Sequence, residues 1–422
     1  MRRSHPSNPR LVSSTDSDSS QALKTSLGLA LGSAVAIGLA RFAYALLLPS
    51  MRASLHWTFA TAGAMNTANA VGYLAGALLT AGLARRYGSR KVFIASFAVT
   101  VVALLATGGV GNTVLLVILR FLAGASGAVT FIAGAGLVAA AASTTSPQRA
   151  ATLLGIYFAG GGVAIVASGL AIPYLLSVTS LTDGWRLGWV LLAGLGVVAF
   201  AFATPVALAS VDPPTPPIGD RHWPIRRLGP VLVSYGLFGA GYIAYMTFIV
   251  AFLKGNGMGP GGITTFWVVL GVASILGSLA WARLIARMPG GWGLAVVIVV
   301  VSIGALLPLL SRSPEAAMGS ALLFGGSFLS VVTAVTAVAR RSLDPHHWTP
   351  AIAGLTVAFA LGQCLGPVLA GVLSDGPAGL SLGLTLSVGV LLVAALVAVA
   401  QRHTGTPGQP LGHRDLPSSA ID

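Results

Sequence analysis

The sequence predicts an all-α membrane protein with twelve transmembrane helices, arranged as two six-helix bundles related by a pseudo-twofold axis. Three observations support this fold: long uncharged segments, an uneven distribution of basic residues, and a similarity between the two halves. Only 8% of the 422 residues are charged and 55% are hydrophobic, whereas soluble domains carry about 25% charged residues. The composition therefore excludes an ordinary soluble domain.

The uncharged segments are long enough to cross a bilayer. A hydrocarbon core about 30 Å thick needs about 20 apolar residues of helix. A first segment, residues 25–51, is interrupted only by Arg41. Eleven further segments of 24 to 33 residues carry no charge: 53–84, 92–119, 121–148, 150–182, 187–211, 228–253, 255–282, 288–311, 316–339, 345–374 and 376–401. The sequence therefore predicts twelve spans.

The basic residues predict the orientation of the protein. With both termini in the cytoplasm, 18 of the 24 Lys and Arg residues fall in cytoplasmic segments, four on the opposite side and two within spans. This bias follows the positive-inside rule. We expect an integral protein of the plasma membrane, or the bacterial inner membrane, with cytoplasmic termini. The net charge of +14 forms no soluble basic face, so we expect no nucleic-acid partner.

The two halves align at a constant shift of 201 residues, which pairs Gly38–Tyr44 with Gly239–Tyr245 and Leu122–Ser126 with Leu323–Ser327. Between them lies a Pro-rich stretch that is expected to be stiff and extended. The predicted organisation is a disordered cytoplasmic tail (1–25), an N-terminal half (26–209), a cytoplasmic connector (210–229), a C-terminal half (230–400) and a cytoplasmic tail (401–422).

Parallel six-helix repeats of this kind are typical of transporters, whose substrate site lies near the midplane between halves that move around it. We find no hydrolase, zinc-protease or ATP-binding motif in the sequence. The sequence therefore predicts a secondary transporter rather than an enzyme. It predicts no cofactor and no metal, and we expect a monomer with a small-molecule substrate.

Arg41 and Arg120 are the two basic residues within predicted spans. A lone Arg in the bilayer core costs about 2.5–3.5 kcal/mol and is expected to face the bundle interior. All ten acidic residues fall in tails, loops or span ends, so an anionic substrate could neutralise these cations. In the alternative, the arginines extend to the interface or cap carbonyl groups of a broken helix.

Helical spacing indicates further residues that could line a substrate site. Asn66, Asn69 and Tyr73 share one face of the second span, as Arg41 and Tyr44 do on the first. Gln363 lies on one face of the eleventh span with Thr356 and Phe359. Tyr242 and Tyr245 occupy the positions in the second half that are equivalent to Arg41 and Tyr44. A cation in one half and an aromatic ring in the other suit a substrate with a charged end and an apolar or ring-bearing end.

Three questions stay open at this stage. The protein could instead be an efflux carrier of hydrophobic compounds with structural arginines, or a receptor that resembles a transporter but moves nothing. The coupling partner could be a proton or a counter-anion. Gly160, Gly161 and Gly162 in the fifth span could be a flexing point or a packing face. Trp185 and Trp189 are interpreted as anchors at the outer membrane interface.

Several motifs resemble those of the major facilitator superfamily. Leu83–Lys91 resembles its signature after the second span, with Arg85 where the family usually has Asp, and Arg120–Gly124 resembles the fourth-span signature. Gly362-x-x-x-Gly366-Pro367 resembles the Gly-Pro motif of antiporters, but lies in the eleventh span. Gly38–Tyr44 and Asn69–Gly76 resemble the YbfB/YjiJ-type subgroup. The resemblance implies gating or conformational roles for Arg85, Arg86, Gly88, Arg90, Lys91, Gly366 and Pro367.

Overall fold

The computed structural model describes residues 10–179, 183–213 and 223–402, and the helices account for nearly all of them. The first half contains α1 (Arg10–Ser33), a π-helix (Ala34–Phe42), α2 (Tyr44–Ser54), α3 (Phe59–Tyr87), α4 (Ser89–Gly109), α5 (Thr113–Ala141), α6 (Pro147–Val178) and α7 (Gly184–Ala209). A 3-10 turn (Ile225–Leu228) precedes the second half. That half contains α8 (Gly229–Gly255), α9 (Pro260–Arg287), α10 (Trp292–Leu310), α11 (Pro314–Phe328), α12 (Ser330–Ser342), a 3-10 turn (Pro345–His347), α13 (Trp348–Ser374) and α14 (Gly379–Val399).

Twelve helical segments of the described chain are long and apolar enough to cross a membrane. The first span joins α1, the π-helix and α2 over Ser20–Ser54, and the tenth joins α11 and α12 over Pro314–Ser342. Large apolar side chains such as Leu78, Phe202 and Leu396 remain exposed on the outside of the bundle. Because these side chains can face lipid, their exposure carries no penalty. The predicted all-α membrane fold is confirmed.

The N-terminal prediction needs a correction. Residues 1–25 were expected to be a disordered tail, but α1 begins at Arg10, so this prediction is wrong from residue 10 onward. Ala22, Thr25 and Ser26 are buried, and the Ser26 hydroxyl donates to the Leu153 carbonyl at 2.5 Å. Extending an existing helix adds one hydrogen bond per residue that is ordered. The polar segment therefore continues the helix of the apolar span that follows it. Residues 1–9 lie outside the described residues.

Small residues bring the helices of each half together. A Cβ atom on Gly72 of α3 would lie 2.0 Å from the Phe121 carbonyl oxygen of α5. In the second half, a Cβ atom on Gly362 of α13 would lie 1.9 Å from the Gly236 carbonyl oxygen of α8. Membrane helices associate largely through such close backbone contacts, because lipid is as apolar as their side chains. Gly72-x-x-x-Gly76 and Gly362-x-x-x-Gly366 follow the small-x-x-x-small pattern that is typical of such contacts.

The bundle has two chemically different ends. We call the end that carries Arg85–Lys91, Arg340 and Arg341 the basic end, and the opposite end, with Thr58, Asp183 and Asp375, the distal end. The two halves contact each other through α2 and α8, α3 and α13, and α6 and α9.

Hydrogen bonds between the halves lie in the distal part of these helices. Asp375 accepts hydrogen bonds from the backbone N–H groups of Phe59 and Ala60, at 2.7 and 2.9 Å. Deeper in the same interface, the Thr67 hydroxyl donates to the Cys364 carbonyl at 2.7 Å. On the other side of the bundle, the Trp267 indole donates to the Ser168 hydroxyl at 3.3 Å. The described halves are thus bonded together at the distal end.

Candidate functional site

A π-helix positions the first predicted site residue. Between α1 and α2 the chain follows π-helical geometry over Ala34–Phe42, and the Ala43 N–H donates to the Gly38 carbonyl five residues earlier at 2.9 Å. A Cβ atom on Gly38 would lie 2.2 Å from Ala164 of α6, so this segment packs tightly against the fifth span. Such π-helical turns are rare and often occur at functional sites. Arg41 lies in the last turn of this segment.

Arg41 faces the interior of the bundle. Its side chain is 5% exposed, and its guanidinium carbon lies 4.9 Å from the centre of the Tyr73 ring. Its Nε and Nη2 atoms are buried and have no hydrogen-bond partner among the described residues. The ring of the next residue, Phe42, packs edge-on against Phe328 of the other half, with ring centres 5.9 Å apart. The positive charge is therefore held at the interface between the halves.

Arg120 lies beside the π-helix, within the N-terminal half. Its Nη1 atom donates to the Ala40 carbonyl at 2.6 Å, and its guanidinium carbon lies 4.9 Å from the Tyr44 ring centre and 5.3 Å from that of Trp189. The side chain is only 1% exposed. Neither arginine extends to the surface of the described protein, so the alternative in which they reach the membrane interface is wrong. The other alternative, capping a carbonyl group of an irregular helix, matches the hydrogen bond from Arg120 to the Ala40 carbonyl.

The C-terminal half presents a set of nearly parallel aromatic rings, which we call the aromatic stack: Tyr235, Phe238, Tyr242, Phe328 and Phe359. The Tyr242 ring is stacked on Phe238 at 5.0 Å and on Phe359 at 5.6 Å, with interplanar angles of 11° and 10°. Phe359 is stacked on Tyr235 at 4.5 Å and 13°. Phe328 continues the stack 6.1 Å from Tyr242 at 20°. Each ring is thus nearly parallel to the ring on which it is stacked.

Gln363 connects the aromatic stack to a polar group. Its side-chain Nε2 donates to the Tyr242 hydroxyl. Its Oε1 is buried and has no hydrogen-bond partner in the described chain, although the residue is 0% exposed. Arg41, Tyr73, Tyr242 and Gln363 form what we call the polar cluster. The last three lie near the middle of α3, α8 and α13, where this architecture places a substrate site.

The other predicted site residues bond to the protein itself. The Tyr44 hydroxyl donates to the Ala62 carbonyl at 2.8 Å, and the Asn69 amide donates to the Arg120 carbonyl at 3.1 Å. Such contacts between membrane helices contribute about 0.6 kcal/mol each. The remaining two contacts are Asn66 Nδ2 to Thr247 Oγ1 across the halves at 2.5 Å, and Tyr245 to Ser320 within the second half. The structure therefore places these four residues in interhelical contacts outside the polar cluster.

Sequence reasoning named Tyr242 and placed Phe359 on the same face as Gln363, but it did not name Tyr235, Phe238 or Phe328 as site residues. Two of them had a usable signal, because Tyr235, Phe238 and Tyr242 follow the i, i+3, i+7 spacing of one face of α8. Phe328 had no signal in its own span, since Phe is common among apolar residues. Only the packing of α11 and α13 against α8 brings these rings together.

The loop at the basic end contains a carboxylate that the sequence did not indicate. Gly88 adopts a positive φ of 83°, which glycine accommodates without strain. Asp212 then accepts from the Arg90 backbone N–H at 2.8 Å and from Arg90 Nε at 3.1 Å. Arg85, Arg86 and Lys91 are exposed. Asp212 thus provides a carboxylate beside this loop, although Arg85 replaces the Asp that is usual in the motif.

The remaining predicted gating residues lie in close helix contacts. The helix α6 is continuous through Gly160–Gly162. Within it, a Cβ atom on Gly160 would lie 2.2 Å from the Ala30 carbonyl oxygen, and one on Gly162 would lie 2.6 Å from Ile275 of the other half. A Cβ atom on Gly366 would lie 2.2 Å from the Ala240 carbonyl oxygen, and the Pro367 carbonyl faces Gly63 of the other half. Their conformational roles stay predictions.

The interpretation of Trp185 and Trp189 as interface anchors is wrong. Both side chains are fully buried, and the Trp189 indole donates to the Met51 sulfur at 3.4 Å. The two residues lie one helical turn apart on the face of α7 that packs on the first span, where a Cβ atom on Gly188 would lie 2.4 Å from Leu47. Two Trp residues near the end of a span resemble the aromatic belt of a membrane protein. The orientation of α7 about its own axis, however, turns both rings toward the inside of the bundle.

Two six-helix halves of a membrane bundle, with charged and aromatic side chains at their interface, define the class as a transporter with the major facilitator superfamily fold. The crystal structure of a point variant of NupG, which is described as a nucleoside transporter, superposes on this chain with a TM-score of 0.72. The superposition covers 89% of this chain and 99% of NupG, at 12% sequence identity. At this identity the similarity shows the fold alone. The chain belongs to the family described as uncharacterised MFS-type transporter YbfB, whose sequence profile matches residues 33–399. Members of this family are membrane transporters, which are not enzymes.

Two curated relatives are similar over most of the chain. The chloramphenicol resistance protein of Streptomyces lividans is 29% identical over 395 residues, which cover 89% of this chain and 95% of the relative. The efflux pump FUBT of Fusarium oxysporum is 25% identical over 347 residues, covering 70% of this chain. This chain spans 52% of the length of FUBT. Both relatives are transport or resistance proteins by name.

Proposed function

We propose that this protein is a secondary active transporter that moves a small organic anion or amphiphile across the membrane by alternating access. One observation carries the proposal: Arg41 is buried at the interface of the halves with Nε and Nη2 lacking a partner in the described structure. Guanidinium groups favour carboxylates and phosphates through paired hydrogen bonds. The adjacent aromatic stack would receive the apolar part of the substrate.

Alternating access is supported by where the halves are bonded. The hydrogen bonds described between the halves, from Asp375 at the helix end to Asn66 near mid-span, lie in the distal part of the bundle. The polar cluster lies on the basic side of these contacts. Breaking the distal contacts while forming others at the basic end would expose the cluster to each side in turn.

The positive-inside bias supports a location in the plasma or bacterial inner membrane with both termini in the cytoplasm. The site is assembled from two halves of one chain, which supports a functional monomer. The described carboxylates lie in helix ends, in loops or before the first span. We therefore favour exchange for a counter-anion over coupling to a proton carried by an intramembrane carboxylate.

The names of the relatives support export rather than import. A resistance protein and an efflux pump are 29% and 25% identical to this chain. The second candidate function is therefore efflux of hydrophobic compounds with structural arginines. The contacts of Arg120 with Ala40, Tyr44 and Trp189 favour this candidate, because they describe a structural role for one of the two arginines.

Counterflow in proteoliposomes tests the proposal. Vesicles loaded with one solute from a panel of anionic and neutral metabolites should take up the labelled solute only when the protein is present, with and without a pH gradient. We expect Arg41→Gln to abolish counterflow of the accepted anion. Lys254→Gln, which removes a positive charge from an exposed residue of the distal end, is the matched control and should retain activity.

Three results would decide against the proposal. Equal counterflow of anions by wild type and Arg41→Gln, or acceptance of neutral apolar compounds alone, would favour efflux with structural arginines. Binding without any flux would indicate a receptor.

A further inference from the structure

We propose that the substrate is a planar aromatic carboxylate, whose ring lies against the aromatic stack while its carboxylate pairs with Arg41. This inference rests on the proposed function and specifies the chemical class that the same site accepts. It depends on three features: the unpaired guanidinium edge of Arg41, the common plane of the rings in the aromatic stack, and the unpaired amide oxygen of Gln363.

The free guanidinium edge of Arg41 favours a negatively charged group on the substrate. Nε and Nη2 project along the same edge of a guanidinium group, and on Arg41 these are the two atoms without a partner in the described chain. A carboxylate has two oxygens at the spacing that matches this edge, so both hydrogen bonds can form at once. The Tyr73 ring lies 4.9 Å from the guanidinium carbon of Arg41.

The parallel rings of the aromatic stack favour a planar substrate. Phe238, Tyr242 and Phe359 are parallel to within 15°, with centres 5.0 to 6.0 Å apart. Rings at such separations favour offset stacking. A flat ring can align with these planes, whereas a saturated ring is thicker and has no π face. Phe328 connects this stack to the segment that carries Arg41, because its ring centre lies 6.1 Å from Tyr242 and 5.9 Å from Phe42.

The amide oxygen adds a third point of recognition. The Gln363 Nε2 group is used by the Tyr242 hydroxyl, which fixes the orientation of the amide. Its Oε1 is a hydrogen-bond acceptor, is buried, and has no partner among the residues described. An unpaired buried acceptor is costly, so a hydroxyl or amino group on the substrate ring would be favoured at this position.

Calorimetric titration of the detergent-solubilised full chain with three matched probes tests the inference. The probes are 4-hydroxybenzoate, its neutral amide 4-hydroxybenzamide, and the saturated acid 4-hydroxycyclohexanecarboxylate. We expect 4-hydroxybenzoate to bind about tenfold or more tightly than the amide, which lacks the charge. We expect it to bind about threefold to tenfold more tightly than the saturated acid, which lacks the ring.

Variants assign each preference to its residue. Arg41→Gln should remove the preference for the acid over the amide and retain a preference for the aromatic ring. Phe359→Leu should do the reverse. Phe202→Leu, on the exposed outer face of α7, is the matched control and should leave both preferences unchanged. If either site variant fails to fold, the three-probe comparison on the wild type still decides.

The failure of this inference is distinguishable from that of the proposed function. Equal affinity for the three probes, or a preference for the saturated acid, overturns the substrate class even if other anions show counterflow. Discrimination among the probes without counterflow of any solute supports the substrate class and overturns the transport function.

Discussion

At the scale of single residues, the pseudo-symmetry of the chain places different chemistry at equivalent positions. Arg41 and Tyr242 are related by the shift of 201 residues, yet one contributes a cation and the other a stacked ring. Tyr242 is also the residue that joins the polar cluster to the aromatic stack, because its hydroxyl accepts from Gln363 while its ring stacks on Phe238 and Phe359. Its two parts can be separated experimentally.

We expect Tyr242→Phe to retain stacking and to destabilise the protein, because it leaves the buried amide of Gln363 without its acceptor. An unpaired buried donor costs about 1–3 kcal/mol. Thermal or denaturant unfolding in detergent measures this loss. Gln363→Leu in the Tyr242→Phe background should recover part of it, because no unpaired group remains. A double variant that loses the full sum of both single effects would contradict the role of this hydrogen bond.

At the scale of the helix, hydrogen bonds at the distal end join the C-terminal end of α13 to the N-terminal end of α3. Asp375, which follows α13, accepts from two N–H groups in the first turn of α3 and so caps a helix of the opposite half. An acidic group there also interacts favourably with the positive end of the helix dipole. The cap exists only while the halves are closed at this end, so it stabilises that arrangement.

We expect Asp375→Ala to favour opening of the distal end, since a lost cap typically costs about 0.5–2 kcal/mol. The chain has one cysteine, Cys364, half-buried in the same interface. Its alkylation by a membrane-impermeant maleimide added from the distal side should therefore increase several-fold. Glu315→Gln, another carboxylate removed from the distal end, should leave the labelling rate unchanged. Equal rates for Asp375→Ala and wild type would disprove the capping role.

A second distal contact links α2 to α7 and depends on pH. The Ser54 hydroxyl donates to the Asp183 carboxylate, and this hydrogen bond, with the nearby Arg186 charge, holds the pKa of Asp183 below its ordinary value. A lowered pKa in the folded state means that the folded protein favours the charged form. The resulting stability is complete above the unfolded pKa of about 3.9 and is lost as the pH falls through the lower, folded pKa.

We therefore expect Ser54→Ala to lower the melting temperature slightly at pH 6. The difference from wild type should shrink as the pH falls below about 4. Ser177→Ala removes an exposed hydroxyl that bonds only to its own helix in the described structure and serves as the control. A difference that stayed constant down to pH 3 would exclude the titration of Asp183 as its cause.

At the scale of the whole molecule, the two halves approach each other most closely where a glycine of one half faces backbone atoms of the other. A Cβ atom on Gly63 of α3 would lie 2.2 Å from the Pro367 carbonyl oxygen, and one on Gly371 of α13 would lie 2.4 Å from the Phe59 carbonyl oxygen. Both contacts join the halves and lie beside the Asp375 cap. Any side chain at these positions must separate the halves at the distal end.

We expect Gly63→Val to reduce the rate of counterflow about tenfold or more, because the added methyl groups overlap backbone atoms that cannot move aside locally and overpacking costs about 1–3 kcal/mol. Gly389→Val is the matched control, since a Cβ atom on Gly389 of α14 meets nothing within 4 Å. Wild-type rates for Gly63→Val would show that transport does not require this close approach.

The fold was predictable because lipid imposes strict rules on a sequence. Each span must be apolar for about 20 residues, and the basic residues must favour one side, so span number and class follow from composition along the chain. The predicted tail fails at Arg10 for a local reason: helix continues from a neighbouring span into polar sequence without a composition signal. The site was partly predictable, since Arg41, Tyr73, Tyr242 and Gln363 are polar or aromatic residues at mid-span.

The sequence alone thus decided the membrane class, the two halves and the presence of buried arginines, since each depends on the transfer of residues from water to lipid. Tertiary structure alone decided which of these residues meet. It separated Arg41 at the interface from Arg120 against the π-helix, turned Trp185 and Trp189 inward, and aligned the aromatic stack. These outcomes depend on helix rotation and close backbone packing, which the spacing of residues along one helix does not determine.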